Sequence, residues 1–305
     1  MALLASPSFD LAIPTPKSVI GFKPGQRPAT PAQIVEYFEV LAESTPRARL
    51  KVMGHTHEGR PLIVLAVSSE ANLARSEEVS TRLRQASDPR ITPSASAALR
   101  AVRDLPAVAW MGYSIHGNEV SGSDASMPVA YRLVAGTDPQ TKMWRQNVIT
   151  YIDPLQNPDG RQRAVATYES NRSEVPDLDI VSLPNAEMWP YGRGNHYLFD
   201  LNRDWFALVQ PESRARVPLI ARLLPQLQVD AHEMGSNSSY LFSPPRMPFN
   251  PHRPKTHHLW EQRFARDQAR AFDERGWSYY TREWNEEFYA GYGSSWIIYL
   301  GAIGI

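Results

Sequence analysis

Apolar and polar residues follow two rhythms along this chain, and the change from one to the other marks out its elements. Ile34, Tyr37, Phe38 and Leu41 stand at i, i+3, i+4 and i+7, the spacing that gathers four side chains on one face of a helix. Thr30-Pro31-Ala32-Gln33 predicts where that helix begins: a threonine N-cap, proline at the first helical position and glutamine three residues on. Leu50–Met53 and Leu62–Val67 predict two strands, with Gly54 to Arg60 as their hairpin connection. Ala107–Gly112 is apolar enough for a strand buried on both faces. Asn147–Asp153 and Leu227–Ala231 are further strands, and Tyr240–Phe242 and Trp277–Thr281 shorter ones. Helical patterns fall at Glu77–Ala86, Glu119–Leu133, Pro211–Leu224 and residues 256–275. Serines, Gly122 and Pro128 weaken the second of these, and Pro218 is expected to kink the third. Strands alternating with helices place the chain in the α/β class. Residues 7–29 read as loop, Pro154 to Gly160 as a cluster of turn formers, and residues 161–200, which lack any period, as a long surface loop.

Composition removes several function classes. The 305 residues are 42% hydrophobic, enough for one large domain or two modest ones. A formal net charge of +0 argues against nucleic acid as the main partner, because a phosphate-binding face shows as a basic excess. No apolar run is long enough to span a bilayer. With Cys 0, disulfides and thiolate zinc sites are excluded. Pro 26 against Gly 17, with prolines gathered in 173–190 and 243–254, predicts long connections. Met1-Ala2-Leu3-Leu4-Ala5-Ser6 is apolar but lacks a basic start and is too short for a signal peptide; it reads as a frayed terminus or the remnant of one.

The chemistry concentrates where Trp110 to Glu119 pass from an apolar strand into a helix. His116 and Glu119 form a His-x-x-Glu pair, and His232 closes the strand ending Val229-Asp230-Ala231. Two histidines and a glutamate, with a fourth position open to water, are one of the standard catalytic zinc sets. In α/β sheets such residues belong at the carboxyl ends of strands, where loops converge. His-x-x-Glu alone arises by chance in roughly one of every few chains of this length, and an ordinary core histidine and helix-terminal acid explain it equally well. His55 and His57 in the first hairpin are more simply solvated turn residues than ligands. A nucleophile elbow would need glycine where His116 stands, and a His-Glu-x-x-His helix would need histidine at Ser236.

Four motifs recur in order: His-Gly-Asn-Glu (116–119), Asn-Pro-Asp-Gly (157–160), Asp-Leu-Asn-Arg-Asp (200–204) and the strand-end His232. Together they resemble the zinc carboxypeptidases of the carboxypeptidase A type, in a bacterial subgroup, over roughly residues 50–305. The resemblance implies a single α/β domain with a mixed, largely parallel central sheet flanked by helices, spanning 30–305 behind an N-terminal extension, 1–29. It implies one Zn2+ held by His116, Glu119 and His232, polarising the scissile carbonyl and acidifying its bound water. Asn202 and Arg203 match the pair that grips the terminal carboxylate, a task suited to a guanidinium fork. Arg193, in Gly192-Arg193-Gly194-Asn195, matches an oxyanion-stabilising arginine, with Arg172 as rival. Tyr289 matches a mobile substrate-capping tyrosine. The implied activity is removal of C-terminal residues from peptides with a free C-terminus, in a secreted or periplasmic setting. The family's general-base glutamate falls just beyond Ile305, so the resemblance predicts a chain truncated before it. Glu233 is disfavoured as substitute because neighbouring strand side chains point to opposite faces, and Glu286 and Glu287 are candidates by proximity to Tyr289 alone. Two other readings remain open: a zinc amidohydrolase or deacylase acting on small acyl-amino acids, and a non-catalytic peptide-binding module.

Overall fold

The computed structural model describes residues 8–175, 177, 179–235, 238–283 and 288–305. The N-terminal Met1–Ser6, Ser236, Glu286 and Glu287 lie outside the described residues. The strands in chain order are β1 (Ala48–His55), β2 (Pro61–Val67), β3 (Ala107–Tyr113), β4 (Val148–Asp153), β5 (Leu227–Ala231), β6 (Tyr240–Leu241), β7 (Tyr279–Tyr280) and β8 (Ile303–Gly304). The helices are α1 (Pro16–Ile20), α2 (Pro31–Glu43), α3 (Glu70–Ala74), α4 (Ser76–Ser87), α5 (Ala95–Val102), α6 (Val120–Ala135), α7 (Pro139–Asn147), α8 (Pro158–Asn171), α9 (Pro211–Leu223), α10 (Lys255–Asp273) and α11 (Gly293–Trp296).

Six strands form one mixed sheet in the order β1-β2-β4-β3-β5-β8. β1 and β2 make the expected antiparallel hairpin and β2 runs antiparallel to β4. The β4–β3, β3–β5 and β5–β8 pairings are parallel. β6 and β7 pair in parallel apart from this sheet. Strand periodicity divides the core into two layers. Ile63, Leu65, Val67, Tyr113 and Ile152 face α2 and α6, whereas Val64, Val108, Trp110, Ile149 and Tyr151 face α4 and α9. Ile34, Tyr37, Phe38 and Leu41 of α2 are fully buried, with Ile34, Phe38 and Leu41 each contributing about 1.5–3 kcal/mol. The Thr30 hydroxyl accepts from Gln33 N–H and the Gln33 side chain accepts from Thr30 N–H, the reciprocal cap expected there. Ile13, Ile20, Phe22 and Ala29 join the same layer. Among the described residues no helix is long and apolar enough to cross a membrane.

The long loop expected over 161–200 is in part a helix. α8 starts at Pro158, with the Asn157 side chain accepting from Gly160 N–H, so the apparent turn cluster is a helix cap followed by its first turn. Hydrophobic periodicity misses α8 because its inward side is polar. Arg161 is fully buried and donates to Ala29 O, Val120 O and Asp124 Oδ1. On the other layer Arg216 of α9 donates to Asp153 Oδ2 at 2.6 Å and to Gln156 O, fixing the carboxyl end of β4. α9 runs through Pro218 as one element.

Candidate active site

The carboxyl ends of β3, β4 and β5 meet on one edge of the sheet. Beyond β3 the chain turns through Ser114, held in the left-handed region at φ 50, a costly conformation for a residue with a Cβ. The Ser114 hydroxyl compensates by donating to Glu119 O and accepting from Ser123 N–H. Gly117 lies against the first turn of α8, where an added Cβ would come within 2.1 Å of Arg161 N. This packed turn delivers His116, 3% exposed, and makes Glu119 the N-cap of α6 with its side chain turned away from the helix.

Three side chains converge there. His116 Nδ1 lies 2.6 Å from Glu119 Oε1, His232 Nδ1 lies 2.9 Å from Glu119 Oε2, and the two imidazoles are 5.0 Å apart. One ligand atom from each of the three falls within 4.8 Å of the others. The far nitrogen of each ring meets a carboxylate: His116 Nε2 lies 2.9 Å from Asp200 Oδ1 and His232 Nε2 lies 3.2 Å from Asp230 Oδ2. With a metal in place such partners would hold the proton on Nε2 and leave the Nδ1 lone pair to the ion. The donor set and its outer carboxylates therefore fit zinc. Burial would raise Glu119, but the two imidazoles prevail and hold it at about 2. Burial would lower both histidines; the carboxylates reverse this and raise His116, and raise His232 well above its ordinary value.

Asp200 and Asp230 were not singled out by sequence reasoning.

A cavity of about 720 Å³ opens over the trio. Arg193 and Arg203 both line it. Arg193 donates to Asp200 Oδ2 through Nε and Nη2 at 3.2 and 3.0 Å, and its Nη1 is 3.7 Å from Glu119 Oε1. Arg172 pairs with Glu169 at the end of α8 and does not line the cavity. The Arg203 guanidinium lies 4.5 Å over the Tyr292 ring and donates to Asn202 O. Tyr292 lines the cavity, whereas Tyr289 packs edge-on against it and is 47% exposed. Asn202 is buried beside His232. β5 stops at Ala231, so strand alternation does not govern Glu233: it lines the same cavity, with its carboxylate anchored by the backbone N–H and hydroxyl of Ser121. His57 contacts Gln210 and Tyr197, and neither it nor His55 joins a metal-capable group among the described residues.

The zinc carboxypeptidase family matches residues 34–269, most of the chain, and the chain belongs to that family. Solved structures share its fold. A metallo-carboxypeptidase from Burkholderia cenocepacia aligns with a TM-score of 0.60 at 17% identity, over 91% of this chain and 59% of that one. Carboxypeptidase A from Helicoverpa armigera aligns at 0.61 and 17% identity, covering 94% of this chain and 68% of that one. A metallo-carboxypeptidase from Pseudomonas aeruginosa, in complex with (2-guanidinoethylmercapto)succinic acid, aligns at 0.58 and 16% identity, over 91% and 59%. The chain thus spans less than two thirds of the length of both bacterial structures. Comparison with curated protein sequences finds no match.

Proposed function

We propose that this chain is a zinc-dependent metallocarboxypeptidase that hydrolyses the C-terminal peptide bond of peptides with a free carboxylate. The observation that carries this reading is that Arg203 and the His116–Glu119–His232 trio face one cavity. When bound, zinc supplies Lewis-acid polarisation of the scissile carbonyl and lowers the pKa of a bound water. Arg203 meets its protein partners, Asn202 O and at 3.7 Å Asp200 Oδ2, through Nη1 and rests on the Tyr292 ring, which leaves Nε and Nη2 for a carboxylate in bidentate pairing. Arg193 places a fixed cation beside Glu119, where charge developing on the carbonyl oxygen is stabilised. Tyr289, one ring away from Tyr292, is assigned the covering of a bound C-terminus. The Pseudomonas aeruginosa relative, bound to a succinic acid derivative, supports a site built for carboxylates.

Three substrates test the proposal: a peptide with a free C-terminus, the same peptide amidated, and an N-acyl amino acid. Release of the C-terminal residue from the first, its loss on amidation and its loss on zinc chelation are expected. Equal cleavage of the amidated peptide would refute the carboxypeptidase reading. Turnover of the acyl-amino acid alone would establish a deacylase, and binding without turnover of any of them a peptide-binding module.

A further inference from the structure

We infer that Asn202 is a positioning residue for the metal ligand His232, a role separate from any grip on substrate. Its amide orientation is set by its neighbours. Trp205 Nε1–H and Gly293 N–H both donate to Asn202 Oδ1 at 3.0 Å, and neither group can act as an acceptor. The amide nitrogen must therefore face the other way, where it donates to Asp230 Oδ2 at 3.3 Å and lies 3.0 Å from His232 Nε2. Asp230 Oδ2 is the same oxygen that meets His232 Nε2.

One buried amide thus ties three segments together: the start of α11 through Gly293, the indole of Trp205, and the Asp230–His232 pair at the end of β5. With a metal on His232 Nδ1, Nε2 carries the proton and donates to Asp230 Oδ2; the Asn202 N–H is then a second donor on that same oxygen, and its 3.0 Å separation from Nε2 is the spacing of two donors sharing one acceptor rather than a hydrogen bond. The Asp230 side chain is almost wholly shielded from water, so its rotamer depends on such protein donors. A residue that served only the substrate's carboxylate would have no bearing on metal affinity.

This inference rests on the zinc reading of the site, and the test separates the two. Asn202→Asp in the full chain keeps an oxygen for Trp205 and Gly293 but replaces the N–H facing Asp230 with a second oxygen. Measured by chelator competition without substrate, its zinc affinity is expected to fall about 10–100-fold, the cost of losing an outer partner of a ligand. The absorption bands of the cobalt-substituted protein should shift as His232 loses its orientation. Zinc affinity indistinguishable from wild type in Asn202→Asp, with only KM changed, overturns the inference. If that variant does not fold, Trp205→Phe removes one of the two donors that orient the amide; it should weaken zinc several-fold, and unchanged affinity again overturns the inference. A wild-type chain that binds no zinc at all would refute the proposed function itself.

Discussion

The three candidate ligands and the two arginines share one cavity but differ in how they are held. His116 and Glu119 have side chains 3% and 13% exposed, that of His232 is 31% exposed, and His116 and His232 each have a carboxylate on the nitrogen that faces away from the site. Arg193 and Arg203 have side chains 46% and 39% exposed, and come from the irregular stretch between α8 and α9. In the inner ring, His116 and Glu119 are fixed by the packed turn after β3, and His232, just past β5, is held between the Glu119 and Asp230 carboxylates, which is the pre-set geometry a metal site requires. Of the outer pair, Arg193 is already clamped on Asp200 through Nε and Nη2, whereas Arg203 keeps hydrogen-bonding capacity in reserve, which is what a substrate subsite requires. Damage to the two regions should therefore separate into loss of metal and loss of substrate affinity.

The largest effect is expected from Glu119→Ala, which removes a ligand and the acceptor shared by both Nδ1 atoms. Zinc measured by atomic emission should drop from one per chain to near zero. Asp200→Asn comes next: it leaves every ligand present but weakens the partner that orients His116, so chelator competition should show a loss of about 10–100-fold. Arg203→Ala should leave zinc content untouched and raise KM. A hydrogen bond to a charged group contributes about 1.5–3 kcal/mol, roughly 10- to 150-fold. Tyr292→Ala removes only the ring beneath that guanidinium, about 0.5–1 kcal/mol, so a two- to fivefold rise in KM is expected. If Arg203→Ala stripped the metal, or Asp200→Asn changed KM alone, the division between the two regions would be wrong.

The inner ring was legible because its signals are local. His116 and Glu119 sit at a strand-to-helix junction marked by the apolar run before them, and His232 closes a run of the same kind. The outer carboxylates were not, since the value of Asp200 and Asp230 depends on which strand ends meet, a tertiary fact. α8 escaped notice because its buried face carries Asp159 and Arg161 rather than a stripe of apolar residues. Glu233 was judged by a strand rule at a position where the strand has already ended. Tyr292 lines the cavity beneath Arg203, a contact between segments that no local pattern in the sequence signals. The helix α2 succeeded on all counts, since its cap and its apolar face are both written in consecutive letters.

The central claim is that one zinc sits among His116, Glu119 and His232. Anomalous diffraction at the zinc absorption edge, on crystals of the purified chain, tests it directly. A single peak bonded to both Nδ1 atoms and the Glu119 carboxylate, at about 2.0–2.2 Å, is the predicted result. An ordered chain supplied with zinc that shows no peak there, or a peak bound to other residues, would contradict it.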